Sequence, residues 1–153
     1  VPARTELTVV TGSLPVASLL GTRPVRVVVL GGHVRRDELS VVGPPAWASL
    51  ARWRFDVAIV GTAGISARWG ITDLDPDDAE INRLALEQAA MAVVVADGSK
   101  VGRAAPAIVA PVAAAHMLFT DAAAKRSELD AIDDAGVEVH LAGGSRDARA
   151  RAS

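Results

Sequence analysis

Residues 91–102 read MAVVVADGSKVG: an apolar run of Met91 to Ala96 that stops abruptly at Asp97-Gly98-Ser99-Lys100, in a chain whose only other lysine is Lys125. An apolar run without polar alternation is the pattern of a strand covered on both faces of a parallel sheet. Similar runs recur at Leu7 to Val10, Val25 to Leu30 (VRVVVL), Phe55 to Val60 (FDVAIV), Met117 to Phe119 and Val137 to Leu141. Helical segments are expected between them, at Pro15 to Leu20, Pro45 to Arg52, Asp77 to Ala90 and about Ala123 to Ala135. In the third of these, Asp75 or Asp77 can cap free amides, Pro76 suits a first turn and the acids lie at the positive end of the helix dipole. Gly136 is a good stop for the fourth. Strands alternating with helices imply an α/β fold: a single domain over residues 1–142 with a mainly parallel, Rossmann-like sheet and helices on both faces. The polar stretch GHVRRDELSVVG, Gly32 to Gly43, is too short for a crossover helix and is expected to form an excursion or small hairpin arm. Its Arg35-Arg36-Asp37-Glu38 run is either a solvated face or a subunit contact. The tail 143–153 lacks apolar anchors and is expected to be mobile.

The 153 residues suit one domain, and 50% hydrophobic against 22% charged residues is the balance of a folded globular chain. The formal charge of -2 offers no basic stripe for nucleic acid. With no cysteine, disulfides and thiol chemistry are excluded, and a reducing cytoplasm fits. No apolar run approaches the roughly 18 residues of a membrane span. His33, His116 and His140 have no metal-ligand spacing, so neither a metal nor a cofactor is expected. The chain opens on Val1 and not on methionine, which is expected of a piece cut from a longer chain.

Polar clusters follow the strands. Thr11-Gly12-Ser13 follows the first, Gly31-Gly32 the second, Gly61-Thr62-Ala63-Gly64 the third, Asp97-Gly98-Ser99-Lys100 the fourth and Thr120-Asp121 the fifth. Open α/β sheets bind ligands beyond the carboxyl ends of their strands, so these clusters are expected along one crevice. Glycines let backbone amides approach an anion, hydroxyls bond sugar or phosphate oxygens, and Lys100 supplies a point charge. A small phosphorylated polyol is the ligand class this set suits. Taken singly, each glycine loop reads better as a tight turn and Lys100 as a solvated charge; it is their shared placement at strand ends that raises the reading as a site.

The order of motifs LTVVTGSLPVASLL, VVVLGG, VVGPPA, IVGTAGI with Gly70-Ile71-Thr72, Ala79-Glu80, VVVADGSKVG, and LFTD followed by GVEV resembles the C-terminal effector domain of DeoR-family transcriptional repressors, from about Leu7 to Leu141. The resemblance implies a sensor of a phosphorylated sugar, similar in fold to ribose-5-phosphate isomerase, that self-associates as a dimer or tetramer. It would touch DNA only through an N-terminal helix-turn-helix. Its motifs map onto Asp97, Ser99, Lys100, Gly102, Gly61, Gly64, Gly70, Thr72, Thr11 and Ser13; the expected ligand contacts are these without Gly102, together with Thr62, Gly31 and Gly32 of the strand-end clusters. Gly12 replaces the family's usual asparagine, and Asn82 stands where a lysine or arginine is common. The family's opening strand and phosphate loop have no counterpart before Leu7. Where the isomerase loop carries acids, Thr62 to Ala67 has no carboxylate, so no catalytic residue and no enzyme is expected. An isomerase would have to borrow Asp73, Asp75 or Glu80 as its base, and a module that only oligomerises is a third possibility.

Overall fold

The computed structural model describes residues 7–143. The tail expected to be mobile lies, from residue 144 onward, outside the described residues. The protein is α/β with mainly parallel strands and divides into two compact units, Val1–Trp53 and Arg54–Ser153.

The first unit runs β1 (Thr8–Thr11), α1 (Leu14–Leu20), β2 (Arg26–Val29), β3 (His33–Arg35), β4 (Ser40–Val42) and α2 (Pro44–Leu50). β1 and β2 pair in parallel, with Thr8 opposite Arg26 and Thr11 opposite Val29, and α1 is the crossover between them. Ser13 caps α1 by accepting from the Val16 amide at 3.4 Å. The polar excursion is a hairpin of β3 and β4, with His33 opposite Val42 and Arg35 opposite Ser40. It docks on the β1 end: the Val41 amide donates to the Gly12 carbonyl at 2.7 Å and the Leu14 amide to the Leu39 carbonyl at 3.0 Å. A Cβ at Gly12 would stand 3.0 Å from the Val41 oxygen, so the glycine that displaces the family's asparagine gives the arm room to pack.

The second unit runs β5 (Phe55–Gly61), β6 (Gly64–Ser66), β7 (Gly70–Asp73), α3 (Pro76–Glu87), β8 (Ala89–Val95), β9 (Ala107–Ala110), β10 (Met117–Thr120), α4 (Arg126–Asp134) and β11 (Glu138–Leu141). Four strands form a parallel sheet in the order β11-β10-β8-β5. Gly61 lies opposite Val95, Val95 opposite Phe119 and Phe119 opposite His140, so the carboxyl ends of these strands finish at one level. Val60, Val94 and Leu118 from the sheet cluster with Leu86 of α3 and Leu129 and Ile132 of α4. Each such buried side chain contributes about 1.5 to 3 kcal/mol. The opposite side of the pleat presents Val57, Val95, Phe119 and Ile59, the last 71% exposed. β5 from Val57 onward and β10 therefore alternate in burial although their sequence there does not alternate in polarity.

Two helix boundaries differ from expectation by three residues. α3 ends at Glu87 and not Ala90, because Ala89 pairs with Phe55 and opens β8. α4 begins at Arg126 and not Ala123, because the Asp121 carboxylate takes the Ala123 amide into a turn at 2.8 Å. Gly136 does end that helix, at φ 94°. A second sheet went unanticipated: β6, β7 and β9 pair antiparallel in the order β6-β7-β9. Its turn glycine, Gly70, has φ 73° and sits where a Cβ would be 2.3 Å from the Ala110 oxygen. Among the described residues no helix is long and apolar enough to cross a membrane.

Candidate functional site

The level strand ends of the second unit carry the polar clusters that follow β5, β8 and β10, and hydrogen bonds tie them together. Asp97 caps a 3-10 turn over Gly98–Lys100, accepting from the Ser99 amide at 3.0 Å and from the Ser99 hydroxyl. Lys100 Nζ lies 3.7 Å from Asp97 Oδ2. The Ser99 hydroxyl, more than the Ser99 amide or the Lys100 ammonium, holds the Asp97 carboxyl below the ordinary carboxylate range. Asp97 and Ser99 are exposed and Lys100 half-buried, so the turn offers a hydroxyl and an ammonium to solvent.

Asp121, directly after β10, bridges two loops. Its Oδ1 accepts from the Ala123 amide at 2.8 Å, and its Oδ2 accepts from the Gly98 amide at 3.1 Å. The turn packs so tightly there that a Cβ on Gly98 would stand 2.2 Å from the Ala124 nitrogen.

The loop after β5 is held from inside. Thr62 donates to the Thr72 carbonyl at 2.7 Å or the Gly64 carbonyl at 2.9 Å, and Thr72 donates to the Gly64 carbonyl at 3.0 Å while accepting from the Ala105 amide at 2.9 Å. Both threonines are buried, Thr72 at 1% exposure, so their hydroxyls serve the backbone of the loop. Gly64 is pressed against the Arg103 carbonyl, where a Cβ would lie at 2.6 Å. An isolated bridge from Ile65 to Val101 joins this loop to the segment just after Lys100.

Two groups outside the expected ligand set stand at this edge: Asp73, named above only as a base for an isomerase, and Asn82. Although Thr62 to Ala67 holds no carboxylate, the β6–β7 hairpin folds Asp73 back so that its Oδ1 accepts from the Ala63 amide at 3.2 Å. Asn82 on α3 donates to Asp73 Oδ2 at 2.7 Å and to the Gly61 carbonyl at 3.3 Å. The other carboxylates named for a base are also engaged. Asp75 caps α3, accepting from the Asp77 amide at 2.8 Å. Arg83 donates to both oxygens of Glu80, at 2.6 and 2.9 Å, and holds that carboxyl below its usual range, which makes it a weaker base.

In the first unit, Thr11 Oγ1 accepts from the Ser13 amide at 3.0 Å, so Thr11 and Ser13 shape the turn after β1. Gly32 is constrained, with φ 149° and a Cβ that would lie 2.5 Å from the Val42 oxygen. Gly31 and Gly61 contrast with every other described glycine: a Cβ at either would meet nothing within 4 Å, and neither has a positive φ in the left-handed region. The fold itself gives no reason for glycine at these two strand ends.

Among the described residues no group of three or more histidine, aspartate or glutamate side chains is gathered that could hold a metal ion. The DeoR C terminal sensor domain profile matches residues 1–122. The chain is 33% identical over 130 residues to the HTH-type transcriptional regulator GlpR of Haloferax volcanii, covering 85% of this chain and 51% of that protein. It is 28% identical over 135 residues to the HTH-type transcriptional repressor GlcR of Bacillus subtilis, covering 88% and 52%. It is 25% identical over 137 residues to the Glycerol-3-phosphate regulon repressor of Escherichia coli, covering 89% and 54%. The chain thus spans about half the length of the curated relatives it matches, and those relatives are named as regulators and not as enzymes. The profile match over residues 1–122, most of the chain, shows that the chain belongs to the family of DeoR C-terminal sensor domains.

Proposed function

We propose that this chain senses a phosphorylated sugar or polyol for a cytoplasmic bacterial transcriptional repressor. The ligand sits at the strand ends and shifts the arrangement of subunits in a homodimer or homotetramer. That shift alters DNA binding by a helix-turn-helix elsewhere in the protein. Lys100, Ser99 and the amides around Gly61 are the ligand groups of the second unit, with Asp97 orienting them and Thr62, Gly64, Gly70 and Thr72 fixing the loop. The first unit carries its own candidate ligand groups, Thr11, Ser13, Gly31 and Gly32, after β1 and β2.

The observation that carries the proposal is the open space at Gly61 and Gly31. A glycine with neither a close neighbour nor an unusual φ is unexplained by folding and well explained by a ligand that approaches the backbone closely. The Glycerol-3-phosphate regulon repressor among the relatives is named for a phosphorylated polyol, which is the ligand class reached here from the residues.

A thermal-shift panel of glycerol 3-phosphate, glucose 6-phosphate and fructose 1-phosphate, with their dephosphorylated parents and inorganic phosphate, tests it on the full-length protein. A ligand at 100 times its Kd adds about 2.7 kcal/mol to stability. At least one phosphorylated compound should raise Tm and its parent should not; silence across a broad set of phosphates would remove the sensor proposal.

A further inference from the structure

Resting on the sensor proposal above, we infer that Asp121 is a positioning residue that presents the Asp97–Lys100 turn to the ligand. Its two carboxylate oxygens have separate duties. Oδ1 closes a local turn by accepting from the Ala123 amide two residues on, at 2.8 Å. Oδ2 reaches across the sheet to the Gly98 amide at 3.1 Å, a contact between residues 23 apart in sequence. A neutral local turn needs only the first; a full carboxylate is needed to accept in both directions, and it makes both bonds charge-assisted.

The second bond fixes the group that matters. Gly98 is the first residue of the 3-10 turn whose third is Lys100. The Lys100 amide donates to the Asp97 carbonyl at 3.0 Å, so the base of the lysine stem is set by the same turn. Gly98 is also the residue for which the Asp121 to Ala124 segment leaves no room for a Cβ: Asp121 Oδ1 itself would be 2.8 Å away. Clamp and close packing together leave the turn one seat against the β10 end. A lysine is a flexible four-carbon stem carrying a point charge, so the backbone at its base decides where that charge can be delivered. Asp121 acts on the ligand through Lys100 and does not touch it.

Asp121→Asn separates the two duties. Its one carbonyl oxygen still serves the local turn, while its amide group would meet the Gly98 N–H donor to donor. Titrations of the full-length protein with glycerol 3-phosphate, glucose 6-phosphate and fructose 1-phosphate should show Asp121→Asn weakening whichever of these binds by about tenfold, the equivalent of one charge-assisted hydrogen bond. Lys100→Met should weaken the same compound at least as much, and the double variant should be no weaker than Lys100→Met alone, because the clamp has no effect without the charge it positions. In the absence of any phosphate, amide exchange at Gly98 should quicken in Asp121→Asn while β10 and α4 keep their protection. Losses that multiply in the double variant, or an unchanged affinity in Asp121→Asn, would overturn the assignment while leaving the sensor proposal standing. A wild-type protein that binds none of a broad set of phosphates removes both.

Discussion

Asn82 Nδ2 lies 2.7 Å from Asp73 Oδ2 and 3.3 Å from the Gly61 carbonyl oxygen, so one side-chain amide on α3 holds both the carboxylate folded back by β7 and the end of β5. The family resemblance places a lysine or arginine at this position. Here a neutral donor keeps Asp73 seated and leaves the negative charge of this corner uncancelled by residue 82. The corner is therefore more acidic than a lysine or arginine would make it, and Lys100 stands as the ammonium of the neighbouring turn.

Replacing Asn82 by leucine removes both bonds and leaves a half-buried carboxylate with a lost partner. Urea unfolding should show a loss of about 1 to 3 kcal/mol with an unchanged m value. Asn82→Lys should recover most of that loss, since an ammonium can reach the same carboxylate. Equal stability in Asn82→Leu would mean that α3 does not hold Asp73 in solution.

Thr72 makes a sharper case because its hydroxyl is fully enclosed, donating to Gly64 and accepting from Ala105. Thr72→Val keeps the shape and orphans the Ala105 amide. A destabilisation of about 1 to 3 kcal/mol is expected, seen as a lower urea midpoint. The phosphate response, corrected for stability, should survive, because the hydroxyl works on the loop backbone and not on the ligand.

The parallel sheet was legible because most of its strands are mainly apolar runs closed by glycine or acid, and the α3 cap because Asp75-Pro76-Asp77 spells a helix start. The β6-β7-β9 sheet was not. Three- and four-residue strands inside GTAGISARWGITD carry no period long enough to read, and β9 pairs with β7 across the whole of α3 and β8. The same distance hid the clamps. Asn82 to Gly61 and Asp121 to Gly98 are contacts between residues 21 and 23 apart, made by the tertiary fold and visible only once the strands are in register. The glycines divide in the same manner. Gly61 and Gly64 look alike in IVGTAGI, yet one is open and the other closed by the Arg103 carbonyl.

The exposed Asp97 has a testable acid signature. Its folded-state pKa is depressed, first by the Ser99 hydroxyl, so its carboxylate favours the folded turn above the unfolded value, roughly 3.9. That favourable contribution fades as pH falls through the lower folded value. An NMR titration should place Asp97 below a free aspartate, and Ser99→Ala should move it upward toward one. No movement in Ser99→Ala would show that the hydroxyl bond is not formed in solution.

Gly61 and Gly64 give the decisive pair. At Gly61 the added methyl of Ala meets nothing within 4 Å and the backbone is already compatible, so Gly61→Ala should fold as well as wild type or gain about 0.4 to 1 kcal/mol from a stiffer unfolded chain. At Gly64 the same methyl would lie 2.6 Å from the Arg103 oxygen and 2.9 Å from Thr72 Oγ1, so Gly64→Ala must push backbone aside and should lower Tm clearly. Ligand response then runs opposite to stability. If Gly61 is glycine so that a phosphorylated ligand can approach, Gly61→Ala should lose the thermal shift given by the active phosphate while its ligand-free Tm holds. A Gly61→Ala protein that is stable and still fully responsive would show that the open strand end faces no ligand at all.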